Sequence, residues 1–129
     1  DINQAANDEV TSLFIASQQA HVGVVRVLAE RGADVNQARD DGTTPLFIAS
    51  EKGHVEVVEI LLERGAVVDQ ASNDGLFPLF ISSKKGHEEV VEILLGKGAD
   101  NRKAAACFAI ALKNGHSDVV ELLRNFLLS

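Results

Sequence analysis

The sequence predicts an all-α solenoid, a stack of helix-turn-helix units joined by hairpin-like loops. Three observations carry the prediction. Laid over itself so that Gly42 falls on Gly75, the chain agrees at 18 of 25 positions between Gly42–Ala66 and Gly75–Ala99. The same shift gives agreement at 15 of 25 between Glu9–Ala33 and Gly42–Ala66. Within each copy the apolar residues recur at helical spacing. Turn-forming residues also fall in matching places: Gly53 and Gly86, Gly32, Gly65 and Gly98, Asp41-Gly42 and Asp74-Gly75. A repeat of this length marks a stacked array in which each unit buries its apolar face on the next.

The elements follow in order from the middle copy. Thr44 has the hydroxyl of a helix N-cap, and Pro45 the fixed φ of a first helical residue. The helix "PLFIASEK" follows, ended by Gly53, with the small residues Ala49 and Ser50 allowing close approach of a neighbour. In "VEVVEILLER", Val55, Val58 and Leu62 form a stripe that Val57, Ile60 and Leu61 broaden, and Glu56, Glu59 and Glu63 lie opposite. Gly65 stops this second helix, and "AVVDQASNDG" runs extended to an Asp-Gly turn.

The other copies depart from this pattern at particular places. In the third, Leu76 and Phe77 replace Thr43 and Thr44, which removes a cap worth about 1 kcal/mol. In the fourth, His116 follows His87 four positions sooner than His87 follows His54. The deletion falls between Gly98 and Phe108, so the loop shortens. Arg124 stands there at the place of Leu62 and Leu95, a polar residue that suits an end-capping unit. At the other end "DINQAA" matches "DVNQAR" at 34–39, the tail of a preceding unit. The expected divisions are 1–6 for that tail, then 7–39, 40–72, 73–101 and a capping unit at 102–129, all in one domain.

The pattern D-G-x-T-P-L, then G-H-x-x-V-V-x-x-L-L, then G-A resembles the ankyrin repeat. The middle copy carries it at Asp41, Gly42, Thr44, Pro45, Leu46, Ala49, Gly53, His54, Val57, Val58, Leu61, Leu62, Gly65 and Ala66, and Asp34-Val35-Asn36 completes it in the first copy. The resemblance covers essentially the whole chain. It departs in one respect: Phe14, Phe47 and Phe80 stand where the family has a His that ties repeats together. This exchange predicts apolar packing in place of a polar tie.

Composition narrows the function. The chain has 129 residues, is 46% hydrophobic, and contains six Phe with no Tyr or Trp, so the core is expected to be aliphatic. A net charge of −7 argues against a nucleic-acid footprint and against anionic lipid. Apolar runs fall far short of the roughly 20 residues that span a bilayer. A single cysteine, Cys107, permits no intramolecular disulfide and fits a reducing compartment, so an intracellular, cytoplasmic location is expected.

No catalytic constellation, metal set or cofactor motif is found, and the chain is expected to be non-enzymatic. His21, His54, His87 and His116 each fill one slot of their own copy, which reads as a structural turn position rather than a convergent metal site. Cys107 replaces a repeat proline on an apolar segment and reads as a buried, inert thiol. Glu56, Glu59, Glu63, Glu88, Glu89, Glu92, Asp118 and Glu121 form a solvated outer face.

The resemblance implies a protein-protein interaction module that holds a protein partner of unknown identity through loop tips and the concave edge of the first helices. On this chain those positions are Asp8, Val10, Gln18 and Gln19; Asp40, Asp41, Thr43, Glu51 and Lys52; and Asn73, Asp74, Leu76, Lys84 and Lys85. Asn7, Lys113 and Asn114 fall at related places. Phe77 is expected to pack and Leu76 to be exposed. Charges of both signs there point to a partner of mixed charge, basic toward the loops. Asn36 also resembles ankyrin asparagines that a hydroxylase modifies. Other readings remain: an engineered, reconstructed or excised array without a natural partner, or a targeting or inhibitory domain of a larger protein. Self-association is a further expectation, through an uncapped N-terminal face carrying Val22, Val25 and Leu28.

Overall fold

The computed structural model describes residue 3 and residues 11–98 and 101–129, with Asn101 described by its backbone alone. Among these residues are eight helices in four consecutive pairs, and no strand. The pairs are α1 (Ser12–Gln18) with α2 (Val22–Glu30), α3 (Pro45–Lys52) with α4 (Val55–Glu63), α5 (Pro78–Lys85) with α6 (Glu88–Gly96), and α7 (Asn101–Lys113) with α8 (Ser117–Leu128). Asp8, Val10 and Asn7 lie outside the described residues.

Each first helix packs on the first helix of the next pair, and each second helix on the next second helix, which makes two layers. The layer of first helices is the tighter one. Its small residues explain why: Ala16, Ser17, Ala49, Ser50, Ser82 and Ser83 are all buried there, and short side chains let helix axes approach. A stack tighter on one side curves toward that side. The concave surface is therefore made by α1, α3, α5, α7 and the loops, and the convex one by α2, α4, α6 and α8.

Local chemistry sets the helix starts. The Thr11 and Thr44 hydroxyls accept from the Phe14 and Phe47 amides, both at 3.1 Å, closing the first turns of α1 and α3. Phe77, at the same place before α5, makes no side-chain cap bond. Its ring packs instead, edge-on to Phe80 with centroids 6.0 Å apart. The second helices differ from the expected stripe. Val57, Val58, Ile60 and Leu61 are buried, whereas Val55 and Leu62 are half-buried. The supposed margin of the stripe is the core because α4 is covered by α3 and by α2 and α6 on either side.

The fourth unit shows what the deletion does. α6 ends at Gly96 and α7 begins at Asn101, so the hairpin is gone and α7 is 13 residues long against 8 in α3 and α5. From the added turns, Lys103 lies 5.5 Å over the Phe77 ring and its Nζ is 3.5 Å from Asp69 Oδ2.

Polar ties between repeats persist despite the Phe substitutions, carried by a different histidine. His54 Nε2 donates to the Gln18 carbonyl at 3.0 Å, His87 Nε2 to that of Glu51 at 2.8 Å, and His116 Nε2 to that of Lys84 at 2.8 Å. Each histidine thus satisfies a carbonyl at the end of the preceding first helix, a group that the helix cannot pair internally. Gly53 and Gly86 make room for it: a Cβ on either would lie 2.6 Å or 2.5 Å from the imidazole of His87 or His116. Asparagines make a second series of ties. Asn36 donates to the Gly65 carbonyl at 3.1 Å and accepts from the Val67 amide at 2.8 Å, while Asn3 accepts from Asp34 at 2.7 Å.

The N-terminal face is apolar, but through other residues than expected. Val25 is buried, and Val22 and Leu28 are half-buried. Ile15, Val24 and Val27 are exposed at 40%, 49% and 46%, whereas Ile48, Val57 and Ile60 in the same slots of the next repeat are at 6%, 0% and 4%.

Candidate functional site

The Arg39–Asp41–Thr43 turn is held from inside. The Arg39 amide donates to the Thr43 carbonyl and the Gly42 amide to the Arg39 carbonyl, both at 2.9 Å. The Asp41 carboxylate takes the Arg39 guanidinium at 2.6 Å, the Thr43 hydroxyl at 2.6 Å and the Thr43 amide at 3.0 Å. The Arg39 guanidinium, and after it the Thr43 hydroxyl and amide, hold the Asp41 carboxyl well below the usual carboxylate range despite its partial burial. Arg39 also lies over the Phe14 ring, 4.8 Å from its centroid. Asp41 is thus an organiser of its own turn.

Neighbouring tips are joined as well. The Asn73 amide nitrogen donates to the Asp41 carbonyl at 2.9 Å, and the Asn73 side chain to the Asp40 carbonyl at 2.8 Å. Asn73, named as a partner-binding residue from the sequence, therefore uses its side chain to lock one tip to the next.

Between the second and third tips the concave side opens into a groove of about 220 Å³, lined by Arg39, Asp41, Thr43, Phe47, Ile48, Glu51, Ser72, Asp74, Leu76 and Ile81. Five of the sequence-derived candidates, Asp41, Thr43, Glu51, Asp74 and Leu76, meet there. Leu76 is half-buried, and Thr43 is buried under Asp41. The groove is smaller than the roughly 300 Å³ at which small-molecule pockets begin, and it is open-sided, a shape that suits one or two side chains of a larger partner.

Gln18, Gln19, Lys52, Lys84 and Lys85 lie along the helix edge of the same surface. Gln19, Lys52, Lys84 and Lys85 are exposed or partly so, and Gln18 and Glu51 are half-buried with their carbonyls given to His54 and His87. The Lys84 carbonyl accepts both His116 and, at 3.1 Å, the Asn114 side chain. Asp40 is exposed at its tip. Sequence reasoning missed Phe47, Ile48, Ser72 and Ile81, which form the walls of the groove. Ser72 had a legible signal, because the matching slot of the preceding copy holds Arg39.

Cys107 is fully buried, and burial pushes its thiol up to about 12, the Ser83 hydroxyl beside it pulling the other way. No helix among the described residues is long and apolar enough to cross a membrane.

No curated protein matches the chain. The family model described as ankyrin repeats (3 copies) matches residues 1–72 and 66–126. Those spans reach into all four helix pairs, and the chain belongs to the ankyrin repeat family.

Proposed function

We propose that this chain is a non-catalytic binding module that holds a protein partner on its concave surface, centred on the groove between the second and third repeats. Ankyrin repeats are generally protein-protein interaction modules and typically non-catalytic. The observation that carries the reading is the groove itself, where the half-buried Leu76 stands beside the carboxylates of Asp74 and Glu51, over the buried Ile48 and Ile81. Apolar walls with a few placed charges are what a recognition hot spot needs. Asp40, Lys52, Lys84 and Lys85 extend it along the stack and favour a partner of mixed charge, basic toward the loops.

The test is affinity capture from lysate, run in parallel with two variants. One carries Asp40→Lys, Leu76→Ala and Lys85→Glu; the other carries Glu59→Lys and Glu92→Lys on the convex face. A protein held by the parent and the convex variant but released by the concave variant supports the reading. Release by the convex variant alone would refute it.

A second reading is favoured by the exposed Ile15, Val24 and Val27, whose counterparts are buried in the next repeat. On that reading this face joins two copies of the chain. Sedimentation equilibrium would then show a concentration-dependent dimer that Val24→Glu abolishes; a monomer at all concentrations would dismiss it.

A further inference from the structure

We propose that the groove takes an arginine side chain of the protein partner, seated against the Asp74 carboxylate and beside Leu76. The proposal rests on reading the concave groove as the binding surface.

Asp41 and Asp74 occupy one slot in successive copies. In the earlier tip Asp41 is bound by Arg39 at 2.6 Å and by Thr43, and the Arg39 guanidinium lies 4.8 Å from the Phe14 centroid. Moving one copy onto the next carries Arg39 to Ser72, Asp41 to Asp74, Thr43 to Leu76 and Phe14 to Phe47. Both internal partners of the aspartate are therefore replaced. Among the described residues the Asp74 side chain has no hydrogen bond or ion pair.

The turn itself is unchanged by the loss. The Ser72 amide donates to the Leu76 carbonyl at 2.8 Å and the Gly75 amide to the Ser72 carbonyl at 2.9 Å, as Arg39 and Gly42 do in the earlier tip. The Ser72 hydroxyl accepts from the Leu76 amide at 3.3 Å, where in the earlier tip the Asp41 carboxylate serves the Thr43 amide. Asp74 is thereby released from turn duty. Ser72, Asp74 and Leu76 line the groove where Arg39, Asp41 and Thr43 stand one repeat earlier, so the open space lies beside the Asp74 carboxylate, while the Phe47 ring below it is buried.

The chemistry of that space selects its guest. An acidic side chain would meet Asp74 and Glu51, and a purely aliphatic one would desolvate Asp74 without pairing it. Arginine answers both demands: its stem packs on Leu76, while its planar guanidinium pairs with a carboxylate. Arg39 on Asp41 is the internal precedent.

The test is selection of a library of randomised linear peptides on the intact chain. Arginine should be enriched among binders that the single substitution Leu76→Ala weakens. Asp74→Asn should weaken them about tenfold. Ser72→Arg, which supplies the guanidinium from within, should weaken them at least as much and leave the chain folded, while Ser72→Ala should not. Concave binders without arginine, or binders indifferent to Asp74→Asn and Ser72→Arg, would overturn this inference and leave the proposed function standing. If no peptide depends on Leu76, the proposed function fails and the inference with it.

Discussion

At the scale of single residues the repeat acts as its own control, since one slot can be compared across copies. Ala20 sits at φ 59° where Gly53 and Gly86 sit at 74° and 79°. The left-handed conformation costs an L-residue about 1–2 kcal/mol, so Ala20→Gly should raise stability by about 1 kcal/mol in denaturant titration. Ser17 and Ser50 present a second case: each hydroxyl is buried without a hydrogen-bond partner among the described residues. Removing an unpaired buried hydroxyl is expected to be neutral or stabilising, so Ser50→Ala should raise stability by up to about 1 kcal/mol. A clear loss of stability instead would show that the hydroxyl is paired. Asp41 gives the pH dependence. Its folded pKa is depressed below the ordinary 3.8, so the unfolded chain binds more protons in that range. The stability it contributes is present above about 3.8 and is lost as pH falls through the lower folded value. Acid titrations of the parent and of Asp41→Asn should therefore converge as pH drops; curves that stay parallel would contradict this.

At the scale of elements, the helices were legible and the ties between them were not. Thr44-Pro45 and Gly53 bracket α3 because capping and turn chemistry are local, and they act within a few residues of where they are read. The Glu face of α4 was legible for the same reason. The role of the histidines was not, because it connects residues 36 apart in sequence, His54 to Gln18 and His87 to Glu51. Spacing alone showed a repeated slot, and only the stack shows what the slot faces. The same limit hid the groove: Ile48 and Ile81 are buried, as a linear reading expects, and only the tip carrying Leu76 makes a groove above them. The ties make a prediction at this scale. His87→Ala leaves the Glu51 carbonyl unpaired and should cost about 1–2 kcal/mol, more than His21→Ala, whose ring is exposed. Equal costs would mean that the bond to Glu51 contributes nothing.

At the scale of the whole molecule, stability belongs to the interfaces between repeats, and the same substitution should have different effects along the stack. Val24 and Val57 share a slot at 49% and 0% exposure. Val24→Glu should change stability by less than about 0.5 kcal/mol, and Val57→Glu should cost more than about 3 kcal/mol or prevent folding. The curved stack with its tightly packed inner layer also leaves one concave surface on which tips and first helices act together. We propose that a partner sits on this surface, around the groove between the second and third repeats. The most direct measurement is hydrogen-deuterium exchange of the chain with and without a captured partner. Protection concentrated at residues 39–52 and 72–85, with α4 and α6 unchanged, is the predicted result. Protection confined to the convex helices or to the N-terminal face would contradict it.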